Sequence, residues 1–231
     1  MSVKTIDDLP WALVQLLSHW KNLDAKLAPG QIILTGDYGR PEMMRDLEAL
    51  NALSEVINQH AERHKQLTSD LTEMRKDVKE SLRSFIFSVR GLLMGTEYEK
   101  QLPRMPDLLA HEQPFIKPMQ LAVTLWKKIN TQAPPPGFAA PLVLANGLTQ
   151  PRFEQKVKGI KQAFDARTKA VEEERKVRKE REKLASTLRD RAIQYHRVIS
   201  GSFPSTSEEV RSLPRLWPPT VRRKKVEESA A

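Results

Sequence analysis

From Glu42 to Arg90 the chain runs for roughly fifty residues without a glycine or a proline, and an apolar residue recurs along it at helical spacing. Every seventh position from Leu50 gives Leu50, Ile57, His64, Leu71, Val78, Phe85 and Leu92, and an interleaved row starts Leu53, His60, Leu67, Met74. This is a heptad seam of coiled-coil type. It predicts one helix over Pro41–Met94, roughly 80 Å long at 1.5 Å per residue. A lone helix of that length leaves its apolar stripe in water, so the fold has to supply a partner for it.

The partner lies 110 residues further along the same chain. Leu34, Pro41, Met43, Leu47, Leu50, Val78, Phe85, Val89 and Gly91 recur, without a gap, as Leu144, Pro151, Phe153, Val157, Ile160, Leu188, Tyr195, Ile199 and Gly201. Trp20-Lys21 recurs as Trp126-Lys127, and the Leu102-Pro103-Arg104 run as Leu213-Pro214-Arg215. Agreement at Trp, Pro and Gly as well as at apolar positions points to an internal repeat. The expected fold is therefore all-α. It is an elongated antiparallel helical bundle built from a tandem duplication, each copy a short helix, a turn, a helix of about fifty residues and a proline-bearing tail. The copies are expected at 1–113 and 114–219, forming one structural unit, with a disordered basic tail over 220–231. A parallel arrangement of the long helices stays open, because the linker is long enough for either. In the antiparallel case the two helices are expected to meet near Leu67 and Val177.

Local signals mark the elements. Asp7 or Asp8 is suited to cap a first helix with Pro10 in its opening turn, and Pro29-Gly30 ends it. Trp11, Val14, Leu17, Trp20, Leu23 and Leu27 are expected to form its buried face. Gly36 and Gly39 precede the long helix and could present backbone N–H groups to a phosphate. The second copy keeps only Gly147 there, so a turn needing positive φ accounts better for both. Gly95–Gln113, holding Pro103 and Pro106, is expected to be extended, with Leu102 and Met105 lying back on the long helix. A third helix is expected over Pro114–Asn130, with Leu121, Leu125, Trp126 and Ile129 apolar. Ala133–Ala140, with three prolines in a row, makes a stiff connection, and the second long helix runs over Gln150–Ser200.

Composition limits the chemistry. There is no cysteine, so disulfides, thiolate nucleophiles and cysteine-bound metals are excluded. His60 and His64 stand four apart on one helix face, a spacing that suits two imidazoles on one metal, with Glu174 or Glu180 as further ligands from the other long helix. The spacing alone is a weak signal, and two polar positions fixing the register of the seam explain it better, so no metal is expected. His19, His111 and His196, and likewise Tyr38, Tyr98 and Tyr195, have no evident partners in the sequence. No Ser/His/Asp grouping, phosphate loop or dinucleotide fingerprint can be assembled, so no catalytic residue and no cofactor is expected.

The net charge is +9, and Arg167–Arg197 alone holds eleven basic against six acidic residues. The centre of the second long helix, Glu172–Lys183, offers only Val177 to a seam and is expected to be solvated. The leading expectation is a non-enzymatic scaffold or adaptor that binds a protein partner or a second copy of itself, through apolar residues left over by the bundle such as Ile86, Leu93 and Phe203. The alternative is nucleic-acid binding through Arg175, Lys176, Arg178, Lys179, Arg222, Arg223, Lys224 and Lys225. No run approaches the length of a membrane span, no signal peptide is evident, and a cytoplasmic protein is expected.

Overall fold

The computed structural model describes residues 7–132 and 138–214. Six helices follow in order: α1 (Leu9–Leu27), α2 (Arg40–Leu92), α3 (Glu97–Lys100), α4 (Glu112–Thr131), α5 (Gln150–Ser202) and α6 (Glu208–Arg211). Among the described residues there is no strand, only an isolated bridge between Leu34 and Tyr38. The chain is all-α. Both long helices form unbroken, each 53 residues long. The basic tail at 220–231, with Arg222, Arg223, Lys224 and Lys225, and most of the proline connection after Gln132 lie outside the described residues.

Two compact units divide the chain: unit 1 takes 1–59 and 174–231, unit 2 takes 60–173. Each therefore draws on both the 1–113 and the 114–219 segments. In unit 1 the core is made by Leu9, Leu13, Leu16, Trp20 and Leu23 of α1, Met43, Leu47 and Leu50 of α2, and Leu188, Tyr195 and Ile199 of α5. The indole of Trp20 stacks on the ring of Tyr195, centroids 4.6 Å apart. In unit 2 the core is made by Val78, Phe85, Val89 and Leu93 of α2, Phe115, Met119, Trp126 and Ile129 of α4, and Phe153, Val157, Ile160 and Phe164 of α5. Trp126 stacks on Phe85 at 4.8 Å, and its Nε1 donates to the Leu142 carbonyl at 3.1 Å.

Within unit 2 the contacts fix the sense of the long helices. Asp77 meets Lys156, Thr68 meets Arg167 and Arg63 meets Glu173, so the α5 number rises as the α2 number falls and these segments run in opposite directions. Thr68 faces Arg167, ten residues before Val177, so the register is not the one that would bring Leu67 to Val177. Burial thins out along this stretch: no residue of α2 from Asn58 to Asp70, and none of α5 from Val171 to Leu184, is fully buried.

The heptad row holds in part. Leu50, Ile57, Leu71, Val78 and Phe85 are buried, but Leu92 is exposed and Leu93 takes its place in the core. A straight α-helix drifts about 20° per heptad against a strict seven-residue repeat, so six heptads carry Leu92 off the face while Leu93 returns to it. On α1 the buried stripe is Leu9, Leu13, Leu16, Trp20 and Leu23, whereas Trp11, Val14 and Leu27 are exposed. The 4-3-4-3 spacing from Leu9 follows the helix more closely than the row begun at Trp11. Leu121 of α4 is likewise exposed.

The turns follow their glycines. Gly36 and Gly147 take φ of +74° and +73°, and the two turns close alike, Leu34 N–H to the Tyr38 carbonyl and Leu144 N–H to the Leu148 carbonyl. Gly39 N–H is taken by the Glu42 carboxylate at 3.0 Å, so the start of α2 is capped by the helix itself and does not await an anion. The segment after α2 is not wholly extended, since Glu97–Lys100 forms the single turn α3. Beyond it Pro103 and Pro106 are buried and Leu102 is half-buried.

Candidate docking groove

On α2 the residues Lys79, Arg83, Ile86, Phe87 and Arg90 recur at helical spacing along one side of unit 2. The chain leaving α3 passes beside them, and Leu102, Pro103, Arg104 and Met105 form the opposite wall of a concavity of about 530 Å³. That wall is tied at both ends. At one end the Gln101 and Leu102 N–H groups bond to the carbonyls of α3, and Lys128 reaches the Gln101 side chain. At the other end the Arg75 guanidinium donates to the Leu108 carbonyl at 2.6 Å and the Ala110 carbonyl at 2.9 Å, and it stacks over Phe115 and Phe164. Two N–H groups on different nitrogens of one planar fork, with the flat face stacked on two rings, suit such a clamp, which a lysine could not reproduce.

Phe87 is the ridge of this site, 57% exposed, with the Arg83 guanidinium 5.6 Å from its ring centroid. A second concavity of about 510 Å³ lies on its other side, lined by Glu80, Ser84, Ser88 and the Leu144–Asn146 turn as well as Arg83. Leu92, Met94 and Leu109 of the same unit are exposed too, the last two by 81% and 87%. Around the first concavity stand four cations, Lys79, Arg83, Arg90 and Arg104, and no carboxylate. Arg83 approaches Glu80 at 3.8 Å with both side chains largely exposed, a pairing worth little in water. Lys79, Arg90 and Arg104 form no ion pair among the described residues.

The apolar residues expected to be left over by the bundle are placed otherwise. Ile86 and Leu93 are buried in the unit 2 core, and Phe203 is half-buried against the unit 1 core. Phe87, one residue from Ile86, is the exposed one. Its signal in the sequence was an aromatic residue off the seam with an arginine four positions before it.

His60 and His64 are half-buried, and the His64 Nε2 is buried without a partner. Among the described residues no three His, Asp or Glu side chains come together as a metal would need. The Glu174 carboxylate is held by Arg178 at 2.6 Å, and Glu180 is exposed. Of the basic residues named for nucleic acid, Arg178 is thus ion-paired, while Arg175, Lys176 and Lys179 are exposed without an ion pair among the described residues.

His19 and Tyr195, which looked solitary in the sequence, meet in unit 1. The Tyr195 hydroxyl lies 2.8 Å from His19 Nδ1, while Nε2 faces the Glu209 carbonyl at 3.0 Å and Ser212 Oγ at 3.1 Å. A carbonyl only accepts, so Nε2 carries the proton, and Nδ1 accepts from Tyr195. Ser212 donates its own hydrogen to the Glu208 carbonyl at 2.7 Å. The ring therefore has no free lone pair for the serine, and the group fastens α6 to α1 and α5 in place of activating a nucleophile. Burial lowers the His19 pKa, and burial lowers that of His196 as well. Burial also raises that of Tyr195.

No family model, no curated protein and no solved structure matches the chain. No helix among the described residues is long and apolar enough to cross a membrane.

Proposed function

We propose that this protein is a non-enzymatic, cytoplasmic helical adaptor, built by tandem duplication as an antiparallel bundle, whose groove beside Phe87 holds a segment of another protein. The observation that carries this is an exposed Phe87–Arg83 pair on α2, rising between two concavities and facing a wall tethered by Arg75. Aromatic and arginine side chains on a rigid support are what binding hot spots are made of. Equal helix lengths, the matching closure of the Leu34–Tyr38 and Leu144–Leu148 turns, and the Trp20–Tyr195 and Trp126–Phe85 stacks at equivalent places support the duplication. Nucleic-acid binding through Arg175, Lys176 and Lys179 is the competing proposal, favoured by their exposure, and self-association is a third outcome.

The test is site-specific photo-crosslinking in cells. A photoreactive phenylalanine replaces Phe87, Met105 or, as a control on the solvated stretch of α2, Lys65, and adducts are identified by mass. The adaptor proposal expects one protein adduct at 87 and 105 and none at 65. Equal adducts at all three positions, or adducts of the chain with itself alone, would overturn it. Loss of signal on nuclease treatment would favour the nucleic-acid alternative.

A further inference from the structure

Resting on that adaptor role, we infer that the groove's partner is an acidic amphipathic segment, with apolar side chains set between carboxylates. Two features select this chemistry together. The described lining has four cations and no acid, so a basic or neutral segment would leave that field uncompensated while an acidic one answers it. Between the cations lie Phe87, Leu102 and Met105, set over the buried Ile86 and Pro103; these three offer nothing to carboxylates and need apolar groups to cover them. A purely acidic tract would satisfy the rim and leave the floor wet. The net charge of +9 opposes a second copy of this chain as the occupant.

The length follows from the spacing. Lys79 to Arg90 spans eleven residues of helix, roughly 16 Å at 1.5 Å per residue. A helical partner of three turns, or an extended one of about five residues at 3.3 Å each, places acids at both ends and its apolar residues over Phe87 and Met105. A bilayer surface shares the two chemistries but not the shape, because a flat face cannot fill a concavity between α2 and the Leu102–Met105 wall.

The probe is a fluorescein-labelled sixteen-residue amphipathic helix carrying leucines on one face and glutamates beside them, followed by anisotropy. Two matched peptides replace the glutamates by glutamine or the leucines by serine, and vesicles of phosphatidylserine and phosphatidylcholine test the bilayer. The expected result is saturable binding of the acidic peptide that weakens about tenfold or more in Phe87→Ala and in Arg83→Glu/Arg90→Glu. The glutamine and serine peptides are expected to bind at least about tenfold more weakly. These side chains are exposed, so circular dichroism melts of the variants should match the parent and separate lost binding from lost folding. Equal binding of the glutamine peptide, equal binding of the serine peptide, indifference to Phe87→Ala, or vesicle binding in place of peptide binding would each overturn the inference. If no peptide binds while the crosslink at position 87 persists, the acidic partner is wrong and the adaptor role stands. If both fail, the adaptor role falls with it.

Discussion

The stacked pair at the centre of unit 2 is the most direct handle on how the chain holds together. Trp126 comes from α4 and Phe85 from α2; both are fully buried, their rings lie 4.8 Å apart, and the indole N–H bonds to the buried Leu142 carbonyl. Trp126→Leu loses ring packing and leaves that carbonyl unpaired. Its cost is bounded by the about 3–5 kcal/mol of a buried Trp→Ala change, about 1 kcal/mol of it from the hydrogen bond. Phe85→Leu is a smaller change in volume and should cost about 1.5 kcal/mol. Both singles fit within the stability of an ordinary domain, about 5–15 kcal/mol, so a double-mutant cycle is measurable. The stack itself should appear as a coupling of about 0.5–1.5 kcal/mol, read by guanidinium unfolding followed at 222 nm. Strict additivity would mean that the rings do not touch, and the claim that residues beyond 113 complete the core around α2 would fail with it.

Two further outcomes follow from single features. Burial holds the pKa of both His19 and His196 below the ordinary 6.5, so on acidification the unfolded chain takes up protons before the folded one. Their contribution is fully present above about pH 6.5 and is lost as the pH falls through the lowered folded-state values; guanidinium midpoints at pH 7.5 and 5.0 should show it, and His19→Gln should flatten the difference, whereas an unchanged slope would place His19 outside the titrating set. Glycine substitutions should split in sign: Gly147→Ala, at φ +73°, should cost about 1–2 kcal/mol, while Gly159→Ala, inside α5 with only the flexible Met74 Cε at 3.4 Å, should add about 0.5–1 kcal/mol, both read as shifts in the unfolding midpoint.

Helices were legible in the sequence because their signals are local. The bounds of α2 and α5 fall within two residues of those expected, Asp8 stands at the N-cap of α1, and a glycine takes positive φ in the turn before each long helix, one position apart in the two copies (Gly36 and Gly147). Facing was less legible. A seven-residue row is a good guide over three heptads and a poor one over six, which is why Leu92 and Leu93 exchange roles, and a row started at Trp11 picks the wrong side of α1. The candidate site was read least well. Its far wall comes from Leu102–Met105, a segment placed by the Arg75 clamp, and nothing in the spacing of Arg75, Leu108 and Ala110 announces that bond. His19 and Tyr195 stand 176 residues apart, so only the packing of α1 on α5 could bring them together.

The comparison of equivalent positions in α2 and α5 bears on what the groove is for. On the duplication proposal Val78, Phe85 and Val89 answer to Leu188, Tyr195 and Ile199, and all six are buried. Packing constrains these positions, so their agreement is what a shared core requires. The outward positions do not agree: Arg83, Phe87 and Arg90 answer to Ile193, Arg197 and Ser200. The Phe87 ridge is therefore not a by-product of the core pattern, and the fold should do without it. Phe87→Arg, which installs the residue found at the equivalent place, exchanges one exposed side chain for another and should change stability by no more than about 0.5 kcal/mol. Urea unfolding checks this alongside the crosslinking at Met105. A loss above about 2 kcal/mol would make Phe87 part of the core, and its exposure would no longer argue for a partner. Unchanged stability with the Met105 adduct gone would assign the ridge to binding alone.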